Sequence, residues 1–402
     1  MLSLAFAFMM GPDASSPRPM DFRLVVMVNP PLSLCRIGLS IAGMCGHPCA
    51  PTSGYNGLAG MIRQECTHLS NKETGSSMSK PYPLLFRPAF KSRIWGGSRL
   101  SGWFSGVPQD EKIGEAWVLS DHKEGESPIA NGPYQGEVLH EVMQKEPAWF
   151  VSAKEHAMPD GRFPLLIKVI DAADDLSVQV HPDDAYGYKH AGEQGKTECW
   201  WVLAADEDSQ IVYGHNAKDA SDFRQHVEDE RWDDLLKRVC VNVGDFYFVP
   251  SGKLHALGKG IMVMEIQQSS DTTYRVYDYN RIDKDGNHRQ LHLEDAIAVT
   301  QYPDSPIPVD KQTIPMHGVK AHRMVSCPYF TVDHWSVNGT VNLTDTALKI
   351  LSVIHGSAKV DTVDGTSSAS VSRGEQVLLP DGLEASLSGN FDCLVTSLPT
   401  RR

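Results

Sequence analysis

No apolar run in this chain reaches the roughly 18 residues that a membrane-spanning helix needs, so no such span is expected. The start, MLSLAFAFMMGPD, is apolar but short, and it lacks the positively charged region that opens a signal peptide. Basic residues are also in deficit. Lys and Arg number 37 against 50 Asp and Glu, a formal charge of -13 with a pI near 5.6. That balance argues against a nucleic-acid binder or a basic membrane-surface protein, although a local basic cluster can still serve a small or phosphorylated substrate. A disulfide framework is missing as well. Of the eight cysteines, Cys35, Cys45, Cys49 and Cys66 lie before residue 78, and Cys199, Cys240, Cys327 and Cys393 are scattered over the rest. In a chain of this length such scatter reads as reduced thiols of a cytoplasmic protein.

Residues 1–77 also lack periodicity. PLSLCRIGLSIAGMCGHPCAPTSGYNGLAG has neither the period of 2 nor that of 3.6 and is rich in Gly, Pro, Ser and Cys. CGHPC has no CxxC spacing and no second pair with which to make a zinc site. The segment is expected to be a disordered or spurious extension, and the texture changes at Met78, which is expected to be the functional start.

From Met78 onward the chain is long enough for two domains. ECWWVLAA, SQIVYGHN, VNVGDFYFVP and GIMVMEIQQ are short β-rich runs bounded by Gly, Pro, Asp and Asn. SDFRQHVEDERWDDLLKRV and LHLEDAIAVTQY have the spacing of amphipathic helices. A mainly β fold of sandwich or barrel type with added helices is expected. Gly244-Asp-Phe-Tyr-Phe-Val-Pro-Ser-Gly-Lys-Leu-His255 also aligns with Gly374-Glu-Gln-Val-Leu-Leu-Pro-Asp-Gly-Leu-Glu-Ala385, both reading G-[DE]-x4-P-x-G. Residues after about 305 therefore resemble a second, smaller copy, in which Ala385 stands where the first copy has His255.

The chemistry-bearing residues start with SVQVHPDD. In a strand, Gln179 and His181 point to one face while Val178 and Val180 point to the other. Gly244-x5-Pro250-x-Gly252-x2-His255 is similar to the second cupin motif, whose histidine binds metal inside a β-barrel, with Lys259 in place of the motif's asparagine. Together with FKSRIWGG, IGEAWVLSDH, LLIKVIDAADDLSVQVHPDD, GKTECWWVL, PSGKLHALG and SSDTTYRVYDYNR, it makes the chain from about Tyr82 resemble the type I mannose-6-phosphate isomerases of the cupin superfamily, in particular the short bacterial form.

That resemblance implies two jelly-roll, cupin-like β-barrel units: 78–304 as a catalytic domain with a helical insertion, and 305–402 as a smaller domain without metal ligands. It also implies one Zn2+ per chain on Gln179, His181, Glu198 and His255. Zinc accepts imidazole nitrogen and carboxylate oxygen readily, whereas an amide oxygen is a weak ligand, which makes Gln179 the weakest of the four. Arg275, Lys196 and Asp271 are implied at the active site. Lys196 shares a face with Glu198 by the period of two, and a neighbouring dication would lower its pKa toward that of a proton carrier. Trp95 with Gly96-Gly97, and Glu115 beside Trp117, are weaker site candidates, with packing of the barrel's outer layer as the alternative.

The implied reaction interconverts mannose 6-phosphate and fructose 6-phosphate by proton transfer between C2 and C1 through an enediol(ate). Zinc would act as a Lewis acid and Arg275 would add fixed positive charge. Two other readings stay open at this point. His181, Glu198 and His255 also make the two-His-one-carboxylate set of an Fe(II) oxygenase, and a cupin can bind sugars without catalysis. The expected partner is a sugar phosphate, with neither nucleic acid nor membrane, and the chain is expected to be a monomer or weak homo-oligomer.

Overall fold

A computed structural model of the chain describes residues 79–282, 286–308 and 311–399, so the expected extension 1–77 and the start at Met78 lie outside the described residues. Among the described residues, no helix is long and apolar enough to cross a membrane. The β-rich runs become strands: Glu198–Ala205, Gln210–His215, Phe246–Val249 and Ile261–Gln268. LHLEDAIAVTQY supplies the helix Leu293–Val299. The other expected helix is broken into two pieces, Ala220–Glu228 and the single turn Trp232–Leu235, and its last residues are a strand. Ala220–Glu228 is helical, with the Asp219 carboxylate capping Asp222 N–H. Asp229 ends it and Glu230 turns into the left-handed region at φ +54°. Leu236–Cys240 then runs as an edge strand beside Gln210–His215, so sheet pairing overrides the helical spacing there.

The architecture is mainly β, as expected, but the strands form open sheets rather than closed barrels. One sheet has five strands in the order Leu236–Cys240, Gln210–His215, His255–Ala256, Val178–Val180, Tyr274–Tyr277. A second has six, in the order Phe246–Val249, Glu198–Ala205, Ile261–Gln268, Leu165–Ala172, Ala89–Gly97, Ile113–Leu119. The third, of eight strands, contains the long Thr331–Leu343, Lys349–Thr362 and Ala385–Ser397. Every pairing is antiparallel, so alternate side chains along each strand sort onto opposite faces.

That sorting builds the layers. Val178, Val180, Val212, Ala256, Tyr274 and Val276 put one face of the five-stranded sheet against Phe223, Leu235, Ala296 and Ile297 of the helical segments. Its other face contributes Ile211 to a cluster shared with Ile170, Trp200, Val202, Ile261 and Val263 of the six-stranded sheet. The far face of the six-stranded sheet packs Ile167, Val169, Cys199, Met262, Met264 and Ile266 against Met324, Val332, Ile350 and Leu394 of the eight-stranded sheet. The remaining face of that last sheet closes over its own apolar core, which includes Trp335, Leu351, Val377, Ala385 and Phe391.

The two G-[DE]-x4-P-x-G stretches have the same local geometry. Gly244 and Gly252 have φ of +88° and +85°, and Gly374 and Gly382 have +93° and +80°. These are left-handed positions where glycine carries no steric penalty. Between each pair of glycines lies one short strand, Phe246–Val249 or Gln376–Leu379, that ends at proline.

Candidate metal centre and active site

The gap between the five- and six-stranded sheets collects the polar residues. His255 and Arg275 both pair with Gln179, so the three sit side by side on the face turned into the gap. Opposite them, Glu265 pairs with both Trp200 and Lys168, and Lys168 pairs with Trp117. Glu198 lies two residues before Trp200 and shares its face. Two rows of polar side chains therefore confront each other, each backed by a strand's apolar alternate positions.

Within the gap, His181, Glu198 and His255 form a buried triad whose ligand atoms lie within 4.8 Å of one another. His181 Nε2 is 3.5 Å from Glu198 Oε2, and His255 Nε2 is 3.4 Å from Glu198 Oε1. Both rings are fixed from behind. His181 Nδ1 pairs with the Thr272 carbonyl at 3.0 Å and His255 Nδ1 with the Lys253 carbonyl at 2.8 Å, which turns each Nε2 toward Glu198. Burial, aided by the charge of Lys196, holds His181 well below its ordinary pKa. Burial likewise brings His255 to about 4, against the opposing Lys253 hydrogen bond. Both imidazoles are thus neutral near pH 7, the form that binds metal.

Glu198 gives the clearest sign of what belongs here. It is fully buried, and neither carboxylate oxygen accepts a well-aligned hydrogen bond. Its one close cation is Lys196, with Nζ 3.1 Å from Oε2. A buried carboxylate left this way is costly, and two imidazole lone pairs facing it make a donor set that suits a divalent cation. Gln179 is adjacent, with its amide nitrogen 3.4 Å from His255 Nε2. The amide must turn over before its oxygen can join the set.

The triad lies beside a cleft of ≈ 300 Å3, which Gln179 and Lys196 line. Lys196 is buried and reaches His181 Nε2 at 3.2 Å as well as Glu198, so it borders the triad as expected. The surrounding carboxylates set its pKa. Burial lowers it, but Glu198, Glu265 and Asp271 together outweigh this and hold it above the ordinary value. Arg275 lines the cleft, with Nε on Ser177 Oγ at 3.2 Å and Nη1 on the Gln290 carbonyl at 2.8 Å. Asp271 is at the wall, with Oδ1 3.8 Å from Lys168 Nζ, and its side chain stays partly exposed.

Trp95 and Glu115, the weaker candidates, also line the cleft. Glu115 takes Arg93 through Nε and Nη2 at 2.9 and 3.1 Å and the Trp117 Nε1–H at 2.7 Å. Burial raises its pKa, but Lys168 and Arg93 dominate and bring it to about 2. Gly96 is required by close packing, since a Cβ there would meet Gly114 N at 2.6 Å. Sequence reading missed Lys168, Glu265, Arg93 and Arg289, all of which line the cleft. A signal was present for two of them, because Lys168 in LLIKVIDA and Glu265 in IMVMEIQQ are lone charges in otherwise apolar strands. A second group, Asp121, Glu126 and His140, already has the Arg162 guanidinium between its carboxylates and reads as an ion-pair network.

Residues 84–218 match the family described as phosphomannose isomerase type I, catalytic domain, and residues 320–398 match mannose-6-phosphate isomerase, cupin domain. The mannose-6-phosphate isomerase ManA of Bacillus subtilis (strain 168) is 40% identical over 322 residues, covering 79% of this chain and 99% of that protein. The mannose-6-phosphate isomerase of Streptococcus mutans serotype c is 41% identical over 304 residues, covering 75% and 94%. The crystal structure of the mannose 6-phosphate isomerase from Bacillus subtilis matches with a TM-score of 0.74 at 36% identity, over 79% of this chain and all of that one. A zinc-bound mannose 6-phosphate isomerase shares the fold at a TM-score of 0.63 and 14% identity, over 79% of this chain.

His255→Ala should abolish retention of a divalent metal through gel filtration, read by elemental analysis, while the far-ultraviolet circular dichroism stays that of the parent. Undiminished metal in the variant would remove His255 from the ligand set.

Proposed function

The chain belongs to the type I phosphomannose isomerases, and from that membership we propose that it is an aldose–ketose isomerase interconverting D-mannose 6-phosphate and D-fructose 6-phosphate. The observation that carries this reading is the buried His181–Glu198–His255 triad beside a cleft rimmed by arginines. We read it as the seat of one Zn2+ per chain, with Gln179 as the weakest ligand. When bound there, zinc supplies Lewis-acid stabilisation of the negative charge that develops on oxygen beside an acidic C–H.

The chain's own residues account for the rest. Arg275 adds fixed positive charge on the face shared with Gln179 and His255. Arg93, Arg275 and Arg289 line one cleft, and each is tied from behind, to Glu115, to Ser177 with Gln290, and to Asp278 respectively. Burial and the nearby Arg289, Arg281 and Arg93 hold Arg275 below its ordinary pKa, against the pull of Asp278, a mark of positive charge in excess. In a chain of net charge -13 such a rim fits a phosphate, which takes fork-shaped guanidinium donors well.

The proton that leaves C2 and returns to C1 needs a carrier with a pKa near neutrality. Lys196 is the carrier expected from the sequence, with Asp271 as a contributor. Glu265 joins them because burial and Glu198 raise its pKa, and its Oε1 has no hydrogen-bond partner. Lys168 and Lys196 temper that rise without removing it.

We read 78–304 as the catalytic part, its facing sheets as a flattened cupin-like unit, and 305–402 as a cupin-like scaffold without ligands. We also keep a cytoplasmic location and a monomer or weak homo-oligomer. The thiols Cys199, Cys240, Cys327 and Cys393 are all unpaired, which favours a reducing compartment.

A coupled assay should detect fructose 6-phosphate formed from mannose 6-phosphate, lost with a chelator and restored by zinc; a chelator-resistant rate would sink the metal reading. Arg289→Ala should raise KM for the sugar phosphate about tenfold or more, the loss of one charge-assisted contact of about 1.5–3 kcal/mol, with kcat within a few-fold. An unchanged KM would exclude Arg289 as the phosphate contact. Glu265→Gln should lower kcat by about 10²–10⁴, the range of general acid–base catalysis, and slow exchange of the C2 hydrogen with solvent in step. If exchange survives there but fails in Lys196→Met, the carrier is Lys196.

A further inference from the structure

Ser270–Thr272 connects the strands Ile261–Gln268 and Tyr274–Tyr277, and no ladder hydrogen bond holds it. It nevertheless has two tasks at the site. Its Thr272 carbonyl takes His181 Nδ1, and it carries Asp271 to the cleft wall. Gln267 Nε2 donates to its Ser270 carbonyl at 2.7 Å and Lys168 faces Asp271, but one side chain from a different segment reaches all three residues. Glu193 lies between the helix Asp184–His190 and the strand Glu198–Ala205. Its Oε2 accepts from Thr272 Oγ1 at 3.1 Å, Asp271 N at 3.2 Å and Ser270 Oγ at 3.3 Å. Its Oε1 faces Lys123 Nζ at 3.3 Å and His122 Nε2 at 3.4 Å.

His122 is buried against Trp117, with ring centroids 5.7 Å apart, and Trp117 in turn donates to Glu115 at the cleft. The Glu193 side chain is itself only 14% exposed. Hydrogen bonding from His122 and the donors of residues 271 and 272 bring its pKa to about 2, so it is ionised at working pH and can serve all these donors at once.

We propose that Glu193 is a positioning residue of the isomerase: its carboxylate holds Ser270–Thr272 so that the Thr272 carbonyl orients His181 and Asp271 faces the substrate. This rests on the isomerase reading above, and Glu193 acts through other residues without touching substrate or metal. Partners that orient a metal-bound histidine typically matter 10–100-fold in metal affinity or activity. The geometry also separates two roles for the carboxylate. If charge were what mattered, Asp would serve better than Gln. If the reach of the oxygen matters, Gln keeps an acceptor in place while Asp withdraws it by one methylene.

The test uses the full-length chain carrying Glu193→Ala, Glu193→Gln or Glu193→Asp. Zinc affinity is read by competition with a chromophoric chelator, kcat and KM at saturating zinc, and melting on the zinc-free protein. Glu193→Ala and Glu193→Asp should each lose 10–100-fold in zinc affinity and a comparable factor in kcat. KM should move less than kcat, and Glu193→Gln should recover most of both. Zinc affinity and kcat equal to the parent in Glu193→Ala would overturn the proposal. So would a Glu193→Asp variant that outperforms Glu193→Gln, or losses that follow only a lowered zinc-free melting temperature. If Glu193→Ala does not fold, the comparison of Asp with Gln decides alone. A parent chain inactive on mannose 6-phosphate defeats the isomerase reading instead, while the zinc titration still reads the positioning role.

Discussion

A carboxylate with no well-aligned hydrogen bond, buried between two neutral imidazoles, is the constraint around which the rest of the molecule is arranged. Taking a carboxylate out of water costs several kcal/mol even after the protein relaxes, and Glu198 recovers part of that from Lys196 at 3.1 Å. A single ammonium on one oxygen leaves the other facing His255 with nothing donated to it. The histidines cannot donate there, because burial keeps them neutral and their Nδ1 atoms are committed to the Thr272 and Lys253 carbonyls. The arrangement is therefore electrostatically incomplete without a cation, and its rigidity comes from backbone carbonyls on two separate loops.

Those loops are held by charge in turn. Lys253, whose carbonyl orients His255, is buried and pairs with Asp304 at 2.6 Å, and Asp304 also takes Lys237 at 2.8 Å. Thr272 is held by Glu193. Around the cleft the pattern repeats, with Glu115 on Arg93, Asp278 on Arg289, and Lys168 within 4 Å of both Glu265 and Asp271. Most of the charged groups that face the cleft thus have an ion partner, and Arg275 is tied instead to Ser177 and the Gln290 carbonyl. That lets two sheets with apolar outer faces keep a charged space between them, since buried ions are tolerated when paired.

The sequence made the strands legible because burial on both faces leaves long apolar runs, as in IMVMEIQQ, and the period of two separates Gln179 from Val178 and Val180. The triad was legible through the family blocks, although His181 and His255 come from the five-stranded sheet side and Glu198 from the six-stranded sheet that faces it. The helical reading of Leu236–Cys240 failed because its amphipathic spacing cannot register the free edge of Gln210–His215 that captures it. Arg93 and Arg289 were hidden because a surface arginine and one at a cleft rim look alike until the counter-ion from a distant segment is in place. The surroundings of Lys196 were only partly legible, because Glu265, which helps to hold its pKa up, lies more than sixty residues away in sequence.

The second G-x5-P-x-G stretch indicates why the chemistry is confined to one place. Its turns and short strand repeat those of the first, down to the left-handed glycines. Ala385, where the first copy has His255, belongs to an apolar cluster with Leu351, Val377 and Phe391. The same backbone frame thus encloses charge in one sheet pair and hydrocarbon in the eight-stranded sheet. An apolar interior contributes stability of about 1.5–3 kcal/mol for each large side chain fully buried, whereas the charged gap forgoes such contacts. The opposite face of the eight-stranded sheet puts Val332, Ile350 and Leu394 in one apolar cluster with Cys199 and Ile266. Glu198 adjoins Cys199 and Glu265 adjoins Ile266, so the strands that carry these carboxylates into the gap are anchored from behind by hydrocarbon. Support of this kind holds the facing sheets in register around their charged gap, and it comes from the segment that matches the cupin-domain family.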